Sequence, residues 1–264
     1  MQARTILDAG HGAPTLVFVH GYCCHATDWQ WHIDAFSKGQ RVVAPTLRGH
    51  EMGDPVRDEL TIEDQAEDVA KLLKNLDIDD AVLCGHSLGM RVVLETHAIM
   101  PERVKACVLI DGSNTVDGNL EAVLAAFDGI EDIQVWAQGL FDEMFLPNTH
   151  LKQQAVFRQR IAAMPPNVLT QLYRNMIKWD GIRLADRLEK VAQKPLLVLQ
   201  STTRVGSGPR RCLRPNERSA FLNMLDCAHS NCRIVTYTDA NHFINLDKPE
   251  QMKQDILSWL AENA

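Results

Sequence analysis

The sequence predicts an α/β protein, a mostly parallel, doubly wound sheet with a helical segment inserted between two late strands. Three observations carry this. Short, almost wholly apolar runs alternate with helical patterns, which is how strands covered on both faces read. The helical patterns place apolar residues at three- and four-residue spacing. One interval between runs, about 85 residues from Asp111 to Leu196, is far too long for a single crossover helix.

In chain order, residues 5–9 suit an edge strand, and 15–20 (TLVFVH) and 41–45 (RVVAP) suit the next two. Ile62, Ala66, Val69, Leu72 and Leu73 form one apolar face of a helix. The run 81–85 (AVLCG) reads as a buried strand, followed by a helical pattern over 91–100 and a strand over 106–111 (ACVLID). Residues 196–200 (LLVLQ) and 233–236 (RIVT) complete the sheet, and Met252, Ile256, Leu257 and Leu260 mark the last helix. The long interval reads as a helical cap over residues 114–189, set on a core built from 1–113 and 190–264. Trp136, Phe141, Met144, Phe145, Leu172, Met176 and Trp179 fall in the cap, either as its own core or as the apolar wall of a substrate pocket.

A chain of 264 residues fits one domain with such an insertion. Its net charge of −7 gives no reason to expect nucleic acid or an anionic membrane as partner. No run approaches the roughly 18 apolar residues of a membrane span, and the first residues lack the apolar stretch of a signal peptide. Seven cysteines without framework spacing read as reduced thiols. Together these features point to the cytoplasm. There is no H-E-x-x-H, no paired C-x-x-C and no phosphate-cradling loop, so no metal or cofactor is implied.

The sharpest local signal is Gly85-His86-Ser87-Leu88-Gly89, directly between a buried strand and a helical pattern. A serine there sits on a strained strand-to-helix turn that pushes its hydroxyl into a pocket, and the turn needs small neighbours. The helix that follows aims backbone N–H groups and its positive dipole end at the same place. Ser87 is therefore the candidate nucleophile rather than a structural turn serine.

With this motif the chain resembles the α/β-hydrolase family over nearly its whole length, which implies the α/β-hydrolase fold. By that resemblance, His20-Gly21-Tyr22 is the oxyanion loop, and the backbone N–H groups of Tyr22 (or Cys23) and Leu88 hold the oxyanion. Arg48-Gly49-His50 matches the family's usual structural loop, with Glu51 where a glycine commonly stands. His242, after the last strand and ahead of the final helix, occupies the place of the catalytic base. Chemically, a serine hydroxyl needs an imidazole to take its proton. Of the ten histidines, His11, His32, His97, His150 and His229 read as surface or packing residues. His20, His25 and His86 lie near the expected pocket and shape it. The pocket is expected to include His86, Cys23, Trp136, Phe141, Phe145 and Trp179.

The base in turn needs a carboxylate to fix its tautomer. Most family members place it after the strand that here reads 196–200, but residues 201–216 contain no Asp or Glu. One strand earlier, 106–110 ends in Asp111, and some branches of the family take their acid there. Asp111 is the candidate acid; the alternative is a turn-capping role with Gly112, with Ser201 or water orienting His242. Glu217 reads as a cap for a helix beginning near Pro215. Removing the Asp111 carboxylate is expected to leave the fold standing, because a strand-end side chain at a pocket contributes little packing.

The resemblance implies a serine hydrolase acting on a carboxylic ester or lactone with an apolar or aromatic group, through an acyl-enzyme. Carbon–carbon bond hydrolases of the family share the triad and need a polar cap site, for which Arg158, Arg160 and Arg174 are the candidates. A weaker similarity is to cofactor-free ring-cleaving dioxygenases of the same fold. There a histidine–aspartate pair deprotonates a 3-hydroxy-4-quinolone-type heteroaromatic.

Overall fold

The computed structural model describes residues 4–54, 59–204, 209–225 and 232–263. His229, Cys227 and the stretch 205–208 lie outside the described residues. The elements are β1 (Ile6–Ala9), β2 (Thr15–Val19), α1 (Gln30–Phe36), β3 (Val42–Pro45), α2 (Ile62–Asn75), β4 (Ala81–His86), α3 (Leu88–Ile99) and β5 (Val104–Ile110). Then come α4 (Leu120–Asp128), α5 (Ile133–Asp142), α6 (Leu151–Ala163) and α7 (Pro166–Val191). The chain returns through β6 (Leu196–Gln200), β7 (Thr202–Thr203), β8 (Arg211–Cys212), α8 (Ala220–Met224), β9 (Cys232–Thr236), α9 (Ile244–Asp247) and α10 (Pro249–Asn263).

Among the described residues the main sheet has seven strands in the order β1-β3-β2-β4-β5-β6-β9, and β7 pairs with β8 separately. Within the main sheet, among the described residues, only the edge pair β1–β3 is antiparallel, and the separate β7–β8 pair is antiparallel too. Alternation along each strand feeds two cores. Val17, Val19, Leu83, Cys107 and Leu109 face α2, α3 and the helical segment. Leu16, Phe18, Val82, Cys84 and Val108 face Trp29, Ile33, Ile256 and Trp259 on the other side. Because both faces are covered, β2 to β6 are buried along nearly their whole lengths, as their apolar runs require.

The four helices between β5 and β6 occupy the interval read as a cap. Their apolar residues, Phe127, Phe141, Leu172 and Met176 among them, belong to the same cluster as one face of the sheet. The last of them, α7, spans 26 residues, about 39 Å, and its second half lies along α3. Two buried acid–base pairs hold it there. Arg91 on α3 reaches Asp180 on α7 through two hydrogen bonds of 2.7 and 2.6 Å, with both side chains sealed from solvent. One turn further along α3, Glu95 accepts from Arg187 and from the Trp179 indole N–H, all at 2.9–3.0 Å.

The helix after Ser87 begins at Leu88, with Ser87 itself as the N-cap residue. Two expectations change here. No helix begins near Pro215; α8 begins at Ala220, where the Ser219 hydroxyl caps it by accepting from Leu222 N. Cys232 is disulfide-bonded, so the reading of reduced thiols throughout does not hold, whereas Cys23, Cys24, Cys84, Cys107 and Cys212 are free. Cysteine spacing along the chain does not give the Cβ separation that decides bonding. No helix among the described residues is long and apolar enough to cross a membrane.

The Arg91–Asp180 pair yields a stability test. Asp180→Ala leaves a buried guanidinium unpaired and is expected to cost about 3–5 kcal/mol. Asp128→Ala removes the exposed partner of Arg174 and should stay close to wild type. Denaturant unfolding of the two variants checks the ranking; equal losses would contradict it.

Candidate active site

Ser87 sits between β4 and α3 with φ +54° and ψ −113°, a strained conformation for a residue with a Cβ. The surrounding glycines make this possible. A Cβ on Gly85 would stand 2.5 Å from the carbonyl oxygen of Gly89, and one on Gly89 would stand 2.3 Å from that of Val19. Strand and helix therefore cross in near contact, and the serine is turned outward over the C-terminal end of the sheet. Arg91 locks the turn from behind, donating to the Ser87 carbonyl at 3.0 Å and the Ser113 carbonyl at 2.7 Å.

The loop after β2 packs on this turn: a Cβ on Gly21 would lie 3.1 Å from that of Ser87. Behind it, His20 lies 2.8 Å from the Gly21 carbonyl through Nδ1 and accepts from Leu47 N at 3.0 Å through Nε2. That pairing assigns the proton to Nδ1, and burial holds the ring well below its ordinary pKa. Tyr22 follows Gly21 in this loop, and Leu88 opens α3, where the first N–H groups have no intrahelical acceptor. The two sequence-predicted oxyanion donors thus stand on segments flanking Ser87. In the next loop Gly49 and Gly53 take the positive φ angles, and Glu51 instead accepts from Thr5 N at 2.8 Å.

His242 and Asp111 meet directly. The His242 Nδ1 lies 2.5 Å from Asp111 Oδ2, and Nε2 is buried without a hydrogen-bond partner. Asp111 is fully buried at the end of β5. Its Oδ1 accepts from Ser201 N at 2.9 Å and Thr202 N at 2.8 Å, with the Ser201 hydroxyl at 3.0 Å. Its Oδ2 accepts from the Thr202 hydroxyl at 2.6 Å and from Arg210 Nη1 at 3.4 Å. Burial alone would raise this carboxyl, but His242, Arg210 and Thr202 outweigh it and hold the group well below the carboxylate range. Burial, and after it the charge of Arg210, holds His242 well below its ordinary 6.5 despite the nearby carboxylate. The resting pair is a carboxylate and a neutral imidazole. His86 supports His242: its Nε2 lies 2.9 Å from the His242 carbonyl, and burial keeps its own ring low.

Ser87 and His242 open onto one cavity of about 1070 Å³. Of the six residues expected at the pocket, His86, Trp136 and Phe141 line it, beside Tyr22 of the oxyanion loop; Cys23, Phe145 and Trp179 do not. Cys23 turns inward at φ +55° and Cys24 faces the cavity instead. Phe145 stacks behind Phe243, with ring centroids 4.8 Å apart. Trp179 turns toward α3 because its buried indole N–H takes Glu95 as acceptor. Glu217 lines the cavity, but Arg211 and Arg214 N occupy its carboxylate. Sequence reasoning missed Thr202 and Arg210, because no spacing marks a threonine and an arginine after β6 as donors to a carboxylate at the end of the neighbouring strand. Among the described residues no cluster of three or more His, Cys, Asp or Glu is placed to hold a metal ion.

The model of the alpha/beta hydrolase family matches residues 16–254, so the chain belongs to that family. Two relatives align over 96% of it at 24% identity. One is the dihydrolipoyllysine-residue acetyltransferase component of the acetoin cleaving system of Pseudomonas putida, of whose length the chain covers 65%. The other is 3-oxoadipate enol-lactonase 1 of Acinetobacter baylyi, 92% covered. Among solved structures, one described as recognition and ring-cleavage of the Pseudomonas quinolone signal superposes with a TM-score of 0.80. Its identity is 20%, covering 98% of this chain and 96% of that one.

The donor set around Asp111 revises the expectation that its carboxylate matters little to the fold. Asp111→Asn replaces an acceptor with an amide facing several donors, and is expected to lower stability by about 1–3 kcal/mol. It should also slow covalent labelling of Ser87 by a fluorophosphonate by roughly 10⁴-fold, the scale of the same change in a serine protease. Glu217→Gln should label at the wild-type rate. Labelling kinetics with mass-mapped adducts check both, and the reverse ranking would place the acid in the later loop.

Proposed function

We propose that the chain hydrolyses a carboxylic ester or lactone by a Ser87–His242–Asp111 triad through an acyl-enzyme. The observation that carries this reading is the paired Nδ1 and unpaired Nε2 of His242 in the cavity that Ser87 lines. A carboxylate on Nδ1 fixes the tautomer that leaves Nε2 basic, which is what a serine nucleophile requires.

The steps follow from these positions. Nε2 takes the hydroxyl proton as Ser87 attacks the substrate carbonyl. The carbonyl oxygen gains charge beside the N–H groups of Tyr22 and Leu88, each such donor being worth a few kcal/mol of barrier. The imidazolium, stabilised by Asp111, protonates the leaving alkoxide. Water, deprotonated by Nε2, then attacks the acyl-enzyme and releases the acid. The substrate is a small molecule with an apolar or aromatic part, because Phe127, Trp136, Leu140, Phe141 and Met144 wall the cavity on the side of the helical segment. The enol-lactonase relative acts on a cyclic ester by its name, which agrees with this reading. We place the reaction in the cytoplasm.

A second reading, a cofactor-free ring-cleaving dioxygenase, is favoured by the same buried His242–Asp111 pair with its acid after the earlier strand. In that chemistry the pair deprotonates the substrate and Ser87 only positions it. Carbon–carbon bond hydrolysis loses the support sought in its arginines. Arg158, Arg160 and Arg174 pair with Asp142, Asp28 and Asp128, and none lines the cavity.

Ser87→Ala separates the readings. A hydrolase should lose roughly 10⁴–10⁶ in kcat on nitrophenyl esters or lactones, with turnover indifferent to oxygen. Oxygen-dependent cleavage of a 3-hydroxy-4-quinolone that survives in Ser87→Ala would overturn the proposal. The pH profile tests the base. Nε2 acts only when neutral, and His242 is held below 6.5, so the acid limb of kcat/KM should lie below pH 6.5. A limb at or above that value would show that burial does not control this histidine.

A further inference from the structure

We infer that Arg210 is the receptor for a carboxylate on the substrate, so that the cavity takes anionic esters or lactones with an apolar body. This rests on the hydrolase reading above and deepens it.

Three arginines line the cavity, Arg204, Arg210 and Arg218. Arg204 is half-exposed and pairs with Glu143. Arg218 is spent on α8, donating to the Leu222 carbonyl and to Asn223. Arg210 differs from both. Its side chain is 10% exposed, its backbone N–H donates to Glu143, and its guanidinium bonds through Nη1 alone, to Thr202 Oγ1 at 2.7 Å and Asp111 Oδ2 at 3.4 Å. Nε is buried with no partner, and Nη2 makes no hydrogen bond among the described residues. A buried guanidinium cannot shed its proton and presents planar, paired donors. One whole edge is therefore unmatched beside the reacting groups. A carboxylate in the guanidinium plane matches that edge, taking Nη2 and giving Nε the acceptor it lacks.

The charge balance during turnover points the same way. At rest the buried carboxylate of Asp111 faces one cation, Arg210, and a neutral His242. When His242 takes the Ser87 proton, the matching negative charge goes to the substrate oxygen at the Tyr22 and Leu88 N–H groups. Beside Asp111, two buried cations then share one carboxylate, and the imidazolium is opposed by its neighbour. An anionic group on Arg210 removes that opposition at the step where it matters. The carboxylate should consequently raise kcat as well as lower KM.

The test compares monophenyl glutarate with its terminal carboxamide, which has the same shape without the charge. Wild type is expected to favour the acid by about tenfold or more in kcat/KM, the scale of a charge-assisted pair, with part of the gain in kcat. Arg210→Gln should bring the ratio to within about twofold, and Arg210→Lys should keep part of it. The ratio cancels whatever either variant does to the His242–Asp111 pair. In parallel, calorimetry with glutaric acid monoanilide and its carboxamide reads the subsite without ester cleavage. Equal affinity of these two for wild type, or a preference untouched in both Arg210 variants, would overturn the inference. Arg210-dependent binding of the monoanilide with neither phenyl ester cleaved would leave the subsite standing and remove the ester reading.

Discussion

The site depends on one buried negative charge. The Asp111 carboxylate is closed off at the end of β5 and is reached by groups from three separate parts of the chain. These are the strand end at Ser201 and Thr202, the segment that carries Arg210, and the loop that carries His242. A carboxylate so buried is stable only while these donors are in place. Each donor segment is in turn positioned by the charge. The Ser201 hydroxyl extends the link, standing 2.7 Å from the Asn241 carbonyl next to the base. Asn241 also donates to the Glu143 carbonyl at 3.0 Å, so the helical segment is tied to the His242 loop.

A second buried charge pair positions Ser87 as Asp111 positions His242. Arg91 grips the carbonyl of Ser87 from the helix that follows it, and Asp180 neutralises the grip from α7. Asp180 also accepts from Thr115 N at 2.7 Å and from its hydroxyl at 2.6 Å, fixing the chain just after β5. The helical segment is thereby attached to the Ser87 turn by electrostatics and to the sheet by a shared apolar core. Such pairs are weak sources of stability against an apolar alternative, but breaking one leaves a charge stranded. Their effect here is to fix the register of α7 over the cavity.

The sheet was legible because strands buried on both faces must be apolar throughout, and runs such as TLVFVH and AVLCG satisfy that locally. Ser87 was legible because its turn places demands on Gly85 and Gly89 that spacing displays. His242 and Asp111 came from the family resemblance together with their positions at strand ends. The pocket wall was harder to read. Trp179 and Phe145 have the same helical spacing as Trp136 and Phe141, and what turns them from the cavity is an acceptor on α3 and a ring on the loop after β9. Neither partner is near them in sequence. Arg210 was invisible for a related reason: an arginine in a loop reads as surface until folding brings it against a buried carboxylate.

The central claim is that burial and Arg210 keep His242 neutral while Asp111 holds its proton on Nδ1 and leaves Nε2 free. Nitrogen-15 NMR of the histidine-labelled protein reads this directly. At neutral pH the account predicts that His242 is the neutral tautomer, with a downfield Nδ1 proton that vanishes in Asp111→Asn. An imidazolium at neutral pH, or a proton resident on Nε2, would contradict it.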